Sequence, residues 1–294
     1  MLINSYAMKK ILVTGAEGQL GQSLQDIISD YPDFDVSFTD VEDLDLLDTE
    51  AVEQYLREYQ ADVIINCAAY TAVDQAESDE QNAMRLNADV PEMLGRLAAE
   101  NGIRLVHIST DYVFDGKANT PYTETHSTAP VTVYGRSKRE GEQRLLAALN
   151  DALILRTSWL YSPYGKNFLK TMLRLGSEKE QLDVVQDQLG SPTWAGDLAL
   201  GIMHVITRWD NDNEWSGGIY HFSNQGVCSW YDFAWQIMYE NSLDCHVHPV
   251  GSESFPAPAK RPHYSVLDKT AFEKDFYFII PHWQTGLREC LDAM

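Results

Sequence analysis

Tyr134 and Lys138 stand four residues apart in the segment YGRSK. In a helix that spacing puts both side chains on one face, and such a pair has a defined chemistry. A free phenol titrates near pH ~10, too high for easy proton exchange at neutral pH. An ammonium beside it favours the phenolate and makes tyrosine a usable acid–base group. Upstream, Ser109 and Thr110 lie in HISTDYVFDG. At the end of a strand in a parallel sheet, Thr110 would face the ligand cleft and could donate a hydrogen bond to a carbonyl oxygen gaining charge. Each feature also has an ordinary reading: Y-x-x-x-K is common on helix surfaces, and a strand-end threonine can bond its own backbone. Their order along the chain, behind a glycine-rich turn, points to catalysis.

That turn is Gly15, Gly18 and Gly21, spaced G-x-x-G-x-x-G after the apolar run KILVT. Glycines at this junction allow a tight turn and let backbone approach a pyrophosphate, with the following helix N-terminus facing the anion. Asp40 follows a second apolar run about 20 residues on, where a carboxylate accepts hydrogen bonds from the adenosine ribose. The next residues are Val41, Glu42 and Asp43 rather than Lys or Arg. A ribose 2′-phosphate would meet carboxylates there, so NADH is expected over NADPH. The alternative is that Asp40 is one acid among many in a solvated loop.

These side chains need a scaffold, and the hydrophobic period supplies one. Strands are predicted at Lys10–Thr14, Val36–Thr39, Val63–Cys67, Leu105–Ser109 and Leu153–Thr157. Helices are predicted from about Leu20 and at Glu50–Tyr59, Glu80–Asn101 and Tyr134–Leu149. The alternation implies a parallel sheet covered by helices on both faces. Beyond residue 158 the rhythm loosens, with helices expected at Asn167–Leu175, Trp194–Arg208, Ser229–Tyr239 and Trp283–Leu291 and a strand at Gly218–Phe222. Gly251–Pro262 reads as loop. The expected fold is α/β: a Rossmann-type doubly wound parallel sheet with a smaller, partly interleaved C-terminal substrate-binding region. The expected division is a disordered tail at 1–8, a dinucleotide-binding core at 9–160, and a mainly substrate-binding region at 161–294 with segments returning to the core.

Composition narrows the partners. With 44 Asp+Glu against 22 Lys+Arg, the formal charge is −22, which repels nucleic acid and anionic membrane surfaces. No apolar run approaches the roughly 20 residues that span a bilayer, and the opening MLINSYAMKK lacks the pattern of a secretory signal. Cys67, Cys228, Cys245 and Cys290 are scattered, as expected for free thiols in a reducing cytoplasm. His246 and His248 alternate on an expected strand, but no third ligand of matching spacing accompanies them.

The ordered segments TGAEGQLG, NCAAYTAVDQAE, STDYVFDG, YGRSK, RTSWLY and RPHYSVLD resemble the extended short-chain dehydrogenase/reductases, and within them the dTDP-4-dehydrorhamnose reductase family. The likeness covers nearly the whole chain from Met8. It implies reduction of the 4-keto group of dTDP-4-dehydro-6-deoxy-L-mannose to dTDP-L-rhamnose, a step of cell-surface polysaccharide synthesis, with NAD(P)H as cofactor. Thr110, Tyr134 and Lys138 would be catalytic: Tyr134 protonates the C4 oxygen, Lys138 lowers its pKa and holds the nicotinamide ribose, and Thr110 polarises the ketone. The resemblance further implies cofactor contacts from Gly15, Gly18, Gln19, Leu20, Gly21, Asp45, Leu46, Ala68, Ala69 and Tyr70. It implies substrate contacts from Val73, Asp111, Tyr112, Trp159 and Arg261, the last gripping the diphosphate. Trp159 has core burial as its plainer alternative, and Arg261 has that of a surface cation. Some members are described with a magnesium ion at a homodimer contact, for which these residues suggest no ligands. Dehydratases of the superfamily carry Asp–Glu after the catalytic threonine, whereas Asp111–Tyr112 stands here, which disfavours elimination. The remaining alternatives are another nucleotide-sugar 4-ketoreductase, a 4-epimerase, or a non-catalytic cofactor-binding regulatory subunit.

Overall fold

Runs such as Ile11–Leu12–Val13 are apolar on both sides, as befits a strand covered on both faces. In the computed structural model, which describes residues 8–294, six such runs form one parallel sheet. Apart from Met8, the tail expected at 1–8 lies outside the described residues. The first half of the chain supplies β1 (Lys9–Thr14), α1 (Gln19–Ile27), β2 (Phe34–Thr39), α2 (Thr49–Tyr59), β3 (Val63–Asn66), α3 (Val90–Asn101), β4 (Arg104–Thr110), α4 (Val133–Ala148) and β5 (Leu153–Thr157). The second half adds α5 (Phe168–Glu178), β6 (Gln181–Val185), α6 (Ala195–Asp212), β7 (Gly218–His221), α7 (Trp230–Glu240), β8 (His246–Val250), α8 (Thr270–Phe276) and α9 (Trp283–Asp292). The sheet order is β7-β5-β4-β3-β1-β2.

Alternate strand residues build two cores. Ile11 and Val13 pack with Leu24, Ile202, Ile206 and Phe272 on one face, while Leu12 and Ile64 pack with Val52, Leu94 and Leu145 on the other. The register sets where the sheet ends. Thr14 pairs with Thr39 and Asn66, and Asn66 with His107, so β4 runs three residues further, until Thr110 meets Thr157 of β5. Chain crossovers at this edge open the cleft.

The helix predicted over 80–101 is one continuous run interrupted by a π turn at Arg85–Asp89. Pro91 has no N–H for the Asn87 carbonyl, and Gly141 of α4 lies against that same carbonyl. The widened turn also points the Asn87 side chain at Tyr70 and Ser137. Strand β6 and helix α8 had no counterpart in the sequence reading; β6 pairs with β8 over a third core that includes Leu182, Phe233, Ile237 and Leu287. Gly251–Pro262 is loop apart from one short 3-10 turn at Ser252–Ser254.

Candidate active site

The glycine turn is built from close contacts. Gly15 has φ +70°, and a Cβ there would lie 2.7 Å from the Ala68 nitrogen. A Cβ on Gly21 would lie 2.4 Å from the Gly15 oxygen. Gly18 precedes α1 without a side chain to cap it, which leaves the first turn open to an anion. Asp40 closes the turn from β2: its Oδ2 accepts from the Glu17 N–H at 2.9 Å and its Oδ1 from the Val41 N–H at 2.8 Å. A turn with no room for a side chain at Gly15 or Gly21, ending on a helix N-terminus, fits a dinucleotide pyrophosphate.

The turn is one end of a cleft of about 960 Å³. Gly15, Gly18, Gln19, Leu20 and Gly21 line that end; Asp40, Asp45 and Leu46 line an acidic side; Ala68, Ala69 and Val73 follow from the end of β3. Thr110, Asp111, Tyr112, Tyr134, Lys138 and Trp159 complete it. Two expected residues do not line this cleft. The Tyr70 ring packs with Ala76, Ala83 and Val133, and its hydroxyl donates to Asp79 at 3.1 Å. Arg261 lines a second cavity beside it.

Helix α4 starts where Thr132 accepts a hydrogen bond from the Gly135 N–H at 3.0 Å, which sets Tyr134 in the first turn. Burial pushes the Tyr134 phenol well above its ordinary range; Thr110 pulls it back, and Asp111 and Tyr112 push it further up. The expectation that Lys138 lowers this phenol is not met here. The Lys138 ammonium instead donates to the Ile108 carbonyl at 2.6 Å, with His107 Nε2 at 3.5 Å. Burial also draws Lys138 down to about 8, against the opposing charge of Glu142.

Asp111 is buried. Its Oδ1 accepts from the Thr110 hydroxyl at 3.0 Å and its Oδ2 has no partner. Burial raises this carboxyl to about 6. Tyr112 meets Tyr134 edge-on, with ring centroids 5.5 Å apart. Burial lifts the Tyr112 phenol to about 12, while Arg261, which donates to it at 3.4 Å, pulls downward. A phenol so held is a poor general base at neutral pH.

Tyr112 and Trp159 are shared by both cavities. The second, about 760 Å³, is lined by Phe168, Met172, Lys179, Gln188, Trp230 and Arg261 among others. Trp159 adopts φ +51°, an unusual conformation for a bulky residue. It is held there by Trp230, stacked at 3.5 Å, and by Gly190, whose Cβ would strike the indole at 2.5 Å. Arg261 also pairs with Asp74, so its charge is partly committed. The sequence reading passed over Trp230, Lys166 and Glu142. Only Lys166 left a local signal, a lysine beside glycine in SPYGKN.

Positive charge is divided between the two cavities. Lys138 and Lys166 line the first cavity together with Glu17, Asp40, Asp45 and Asp111, while Lys179 and Arg261 line the second with Asp183. His246 and His248 sit exposed side by side on β8, rings 6.1 Å apart. Among the described residues, no three His, Cys, Asp or Glu side chains gather as a metal site.

Known proteins place this geometry. The family described as RmlD substrate binding domain matches residues 8–294. A Streptomyces antibioticus protein named "probable dTDP-4,6-dihydroxy-2-methyloxan-3-one 4-ketoreductase" is 42% identical over 280 residues, covering 95% of this chain and 93% of that one. The dTDP-4-dehydrorhamnose reductase of Aggregatibacter actinomycetemcomitans is 39% identical over 287 residues, covering 96% and 98%. The crystal structure of dTDP-4-dehydrorhamnose reductase from Bacillus anthracis in complex with NADP superposes with a TM-score of 0.91 at 39% identity, covering 97% of this chain and 99% of that one. With the glycine turn, Thr110, Tyr134 and Lys138 brought to one cleft of a six-stranded parallel sheet, the chain belongs to the RmlD substrate binding domain family, that of the dTDP-4-dehydrorhamnose reductases.

Proposed function

We propose that this protein reduces the 4-keto group of dTDP-4-dehydro-6-deoxy-L-mannose to dTDP-L-rhamnose, with a nicotinamide dinucleotide in the first cavity and the sugar nucleotide reaching into the second. The bound dinucleotide supplies the hydride. Tyr134 donates the proton to the C4 oxygen, Thr110 hydrogen-bonds that oxygen as charge develops, and Lys138, anchored on the Ile108 carbonyl, holds the nicotinamide ribose. Asp111, Tyr112, Val73 and Trp159 surround the sugar, and Arg261 with Lys179 faces the diphosphate. Residues 9–160 mainly hold the cofactor and 161–294 mainly the substrate.

The observation that carries this reading is that Thr110, Tyr134 and Lys138 line one cleft with the glycine turn, while Tyr112, at the position that holds Glu in the dehydratases, is engaged by Arg261. NADH is preferred because Asp40 and its acidic successors border the ribose position. The NADP-bound relative supports use of NADPH as well. Four unpaired cysteines fit a reducing cytoplasm. We assign no magnesium ion, and a homodimer rests on resemblance alone.

A second reading has its own support: the Streptomyces relative carries the name of a 4-ketoreductase for a different dTDP-sugar. Incubation with NADH and dTDP-4-dehydro-6-deoxy-L-mannose decides between them. Stoichiometric NADH oxidation with an NMR spectrum of dTDP-L-rhamnose is expected. A product of opposite C4 configuration supports a different 4-ketoreductase, and sugar interconversion without net NADH consumption supports an epimerase.

A further inference from the structure

Glu142 lies one turn beyond Lys138 on α4, is completely buried, and has no part in the chemistry described above. Its carboxylate is fully engaged. Oε1 accepts from the Ser109 hydroxyl at 2.6 Å and from Arg156 Nε at 2.8 Å, and Oε2 accepts from Arg156 Nη2 at 2.7 Å. Arg156 is 2% exposed, its guanidinium stacked over Phe114. A buried ion pair seldom stabilises a fold more than apolar residues of the same volume would. Its location is what distinguishes this one: Ser109 adjoins Thr110 on β4, Arg156 lies three residues before Trp159 at the end of β5, and α4 carries Tyr134 and Lys138.

We propose that Glu142 is a positioning residue for the reduction, its carboxylate joining the ends of β4 and β5 to α4 while supplying the negative charge that keeps Lys138 an ammonium. This rests on the reductase reading. The groups facing Lys138 favour this assignment. Its own helix offers Glu142, and Tyr134 one turn earlier, β3 is followed by Cys67, and β4 presents His107 and the Ile108 carbonyl. Burial raises the Cys67 thiol to about 12 and keeps His107 neutral. The Tyr134 phenol is protonated. Among these groups Glu142 is the charged one. Beyond the pair, His221 lies 3.5 Å from Arg156, is held neutral by burial, and has Glu124 at 3.9 Å.

The test uses two variants of the whole chain. Glu142→Gln keeps the shape of the side chain; Glu142→Gln with Arg156→Met also removes the cation that the first change strands, and serves if the single variant does not fold. Both are labelled with 13C-lysine, the Lys138 signal being assigned by its loss in Lys138→Met. The wild-type signal is expected to titrate near 8. In Glu142→Gln the midpoint falls by about one pH unit or more relative to wild type, and in the double variant it falls likewise relative to Arg156→Met labelled in the same way, each comparison losing one neighbouring opposite charge. The basic limb of kcat/KM moves by the same amount, and kcat falls more than KM rises. An unmoved midpoint in a folded variant overturns the proposal, even if turnover drops, because the role would then be structural. A shifted midpoint in a protein whose wild type does not reduce the keto-sugar supports the charge relation and overturns the reductase reading alone.

Discussion

In the proposed reduction the proton donor must hold its proton until the substrate oxygen becomes basic enough to take it, and burial with the nearby Asp111 carboxylate raises the Tyr134 phenol in that sense. Replacing it with phenylalanine removes the donor and little volume. Tyr134→Phe is expected to lower kcat by ~10²–10⁴-fold while leaving the dissociation constant for NADH, followed by fluorescence titration, nearly unchanged. Wild-type turnover in that variant would remove Tyr134 from the mechanism. Asp40 bears on cofactor choice. Asp40→Ala is expected to narrow the NADH-over-NADPH ratio of kcat/KM about tenfold, a charge-assisted hydrogen bond being worth ~1.5 kcal/mol or more; an unchanged ratio would place the ribose elsewhere. The glycine triplet and the tyrosine and lysine one turn apart were legible as local signals, and the fold brings them to one cleft. The orientation of Tyr70 was not legible, since its hydroxyl is held by Asp79 and its backbone by Asn87 of the π turn.

Helix α4 comes unusually close to the helical run before it, and the contact is made by glycines. A Cβ on Gly141 would lie 1.9 Å from the Asn87 oxygen, and one on Gly95 would lie 2.7 Å from the Leu145 side chain. Because α4 also carries Tyr134 and Lys138, Gly141→Ala should displace the catalytic face and cost about 1–3 kcal/mol, as overpacking does. Urea unfolding should show the lower midpoint, with a parallel loss of kcat; unchanged values would mean that the Asn87 turn relaxes freely. The main strands and helices of the first half could be read from periodicity, since each is long and bounded by turn residues. Strand β6 and helix α8 could not. QLDVV is short, and TAFEKDF needs Tyr220 of β7 and Phe222 just beyond it before its apolar face has anything to cover.

The molecule also carries two buried carboxyls whose burial works against it at neutral pH. Asp111 and Asp197 are both raised to about 6, mainly by burial. A carboxyl raised in the folded state binds its proton more tightly there than in the unfolded chain. Its contribution is therefore most favourable below the unfolded value of 3.8, is lost as pH rises toward 6, and stays low above that. Asp111→Asn should raise stability at pH 8 by about 1–3 kcal/mol, the span of two shifted pKa units being ~3 kcal/mol, and change it little near pH 4. Thermal melts of both proteins across that range would show it, and a constant difference would contradict it. Activity should fall in the same variant, the usual trade between stability and a functional site. The acidity of the chain has a place in this picture too. Residues 26–62 hold 13 Asp+Glu against one Arg, and that stretch runs through the acidic side of the first cavity.

Strand β7 arrives about sixty residues after its neighbour β5, yet completes the same sheet. During synthesis, therefore, the nascent first half leaves the ribosome with the β5 edge unpaired and one sheet face still lacking Leu198, Ile202, Phe222 and Phe272. An open parallel edge beside a bare apolar face is an aggregation-prone intermediate. The first half of the chain is thus no transplantable module: it owes its last strand and much of one face to the second half.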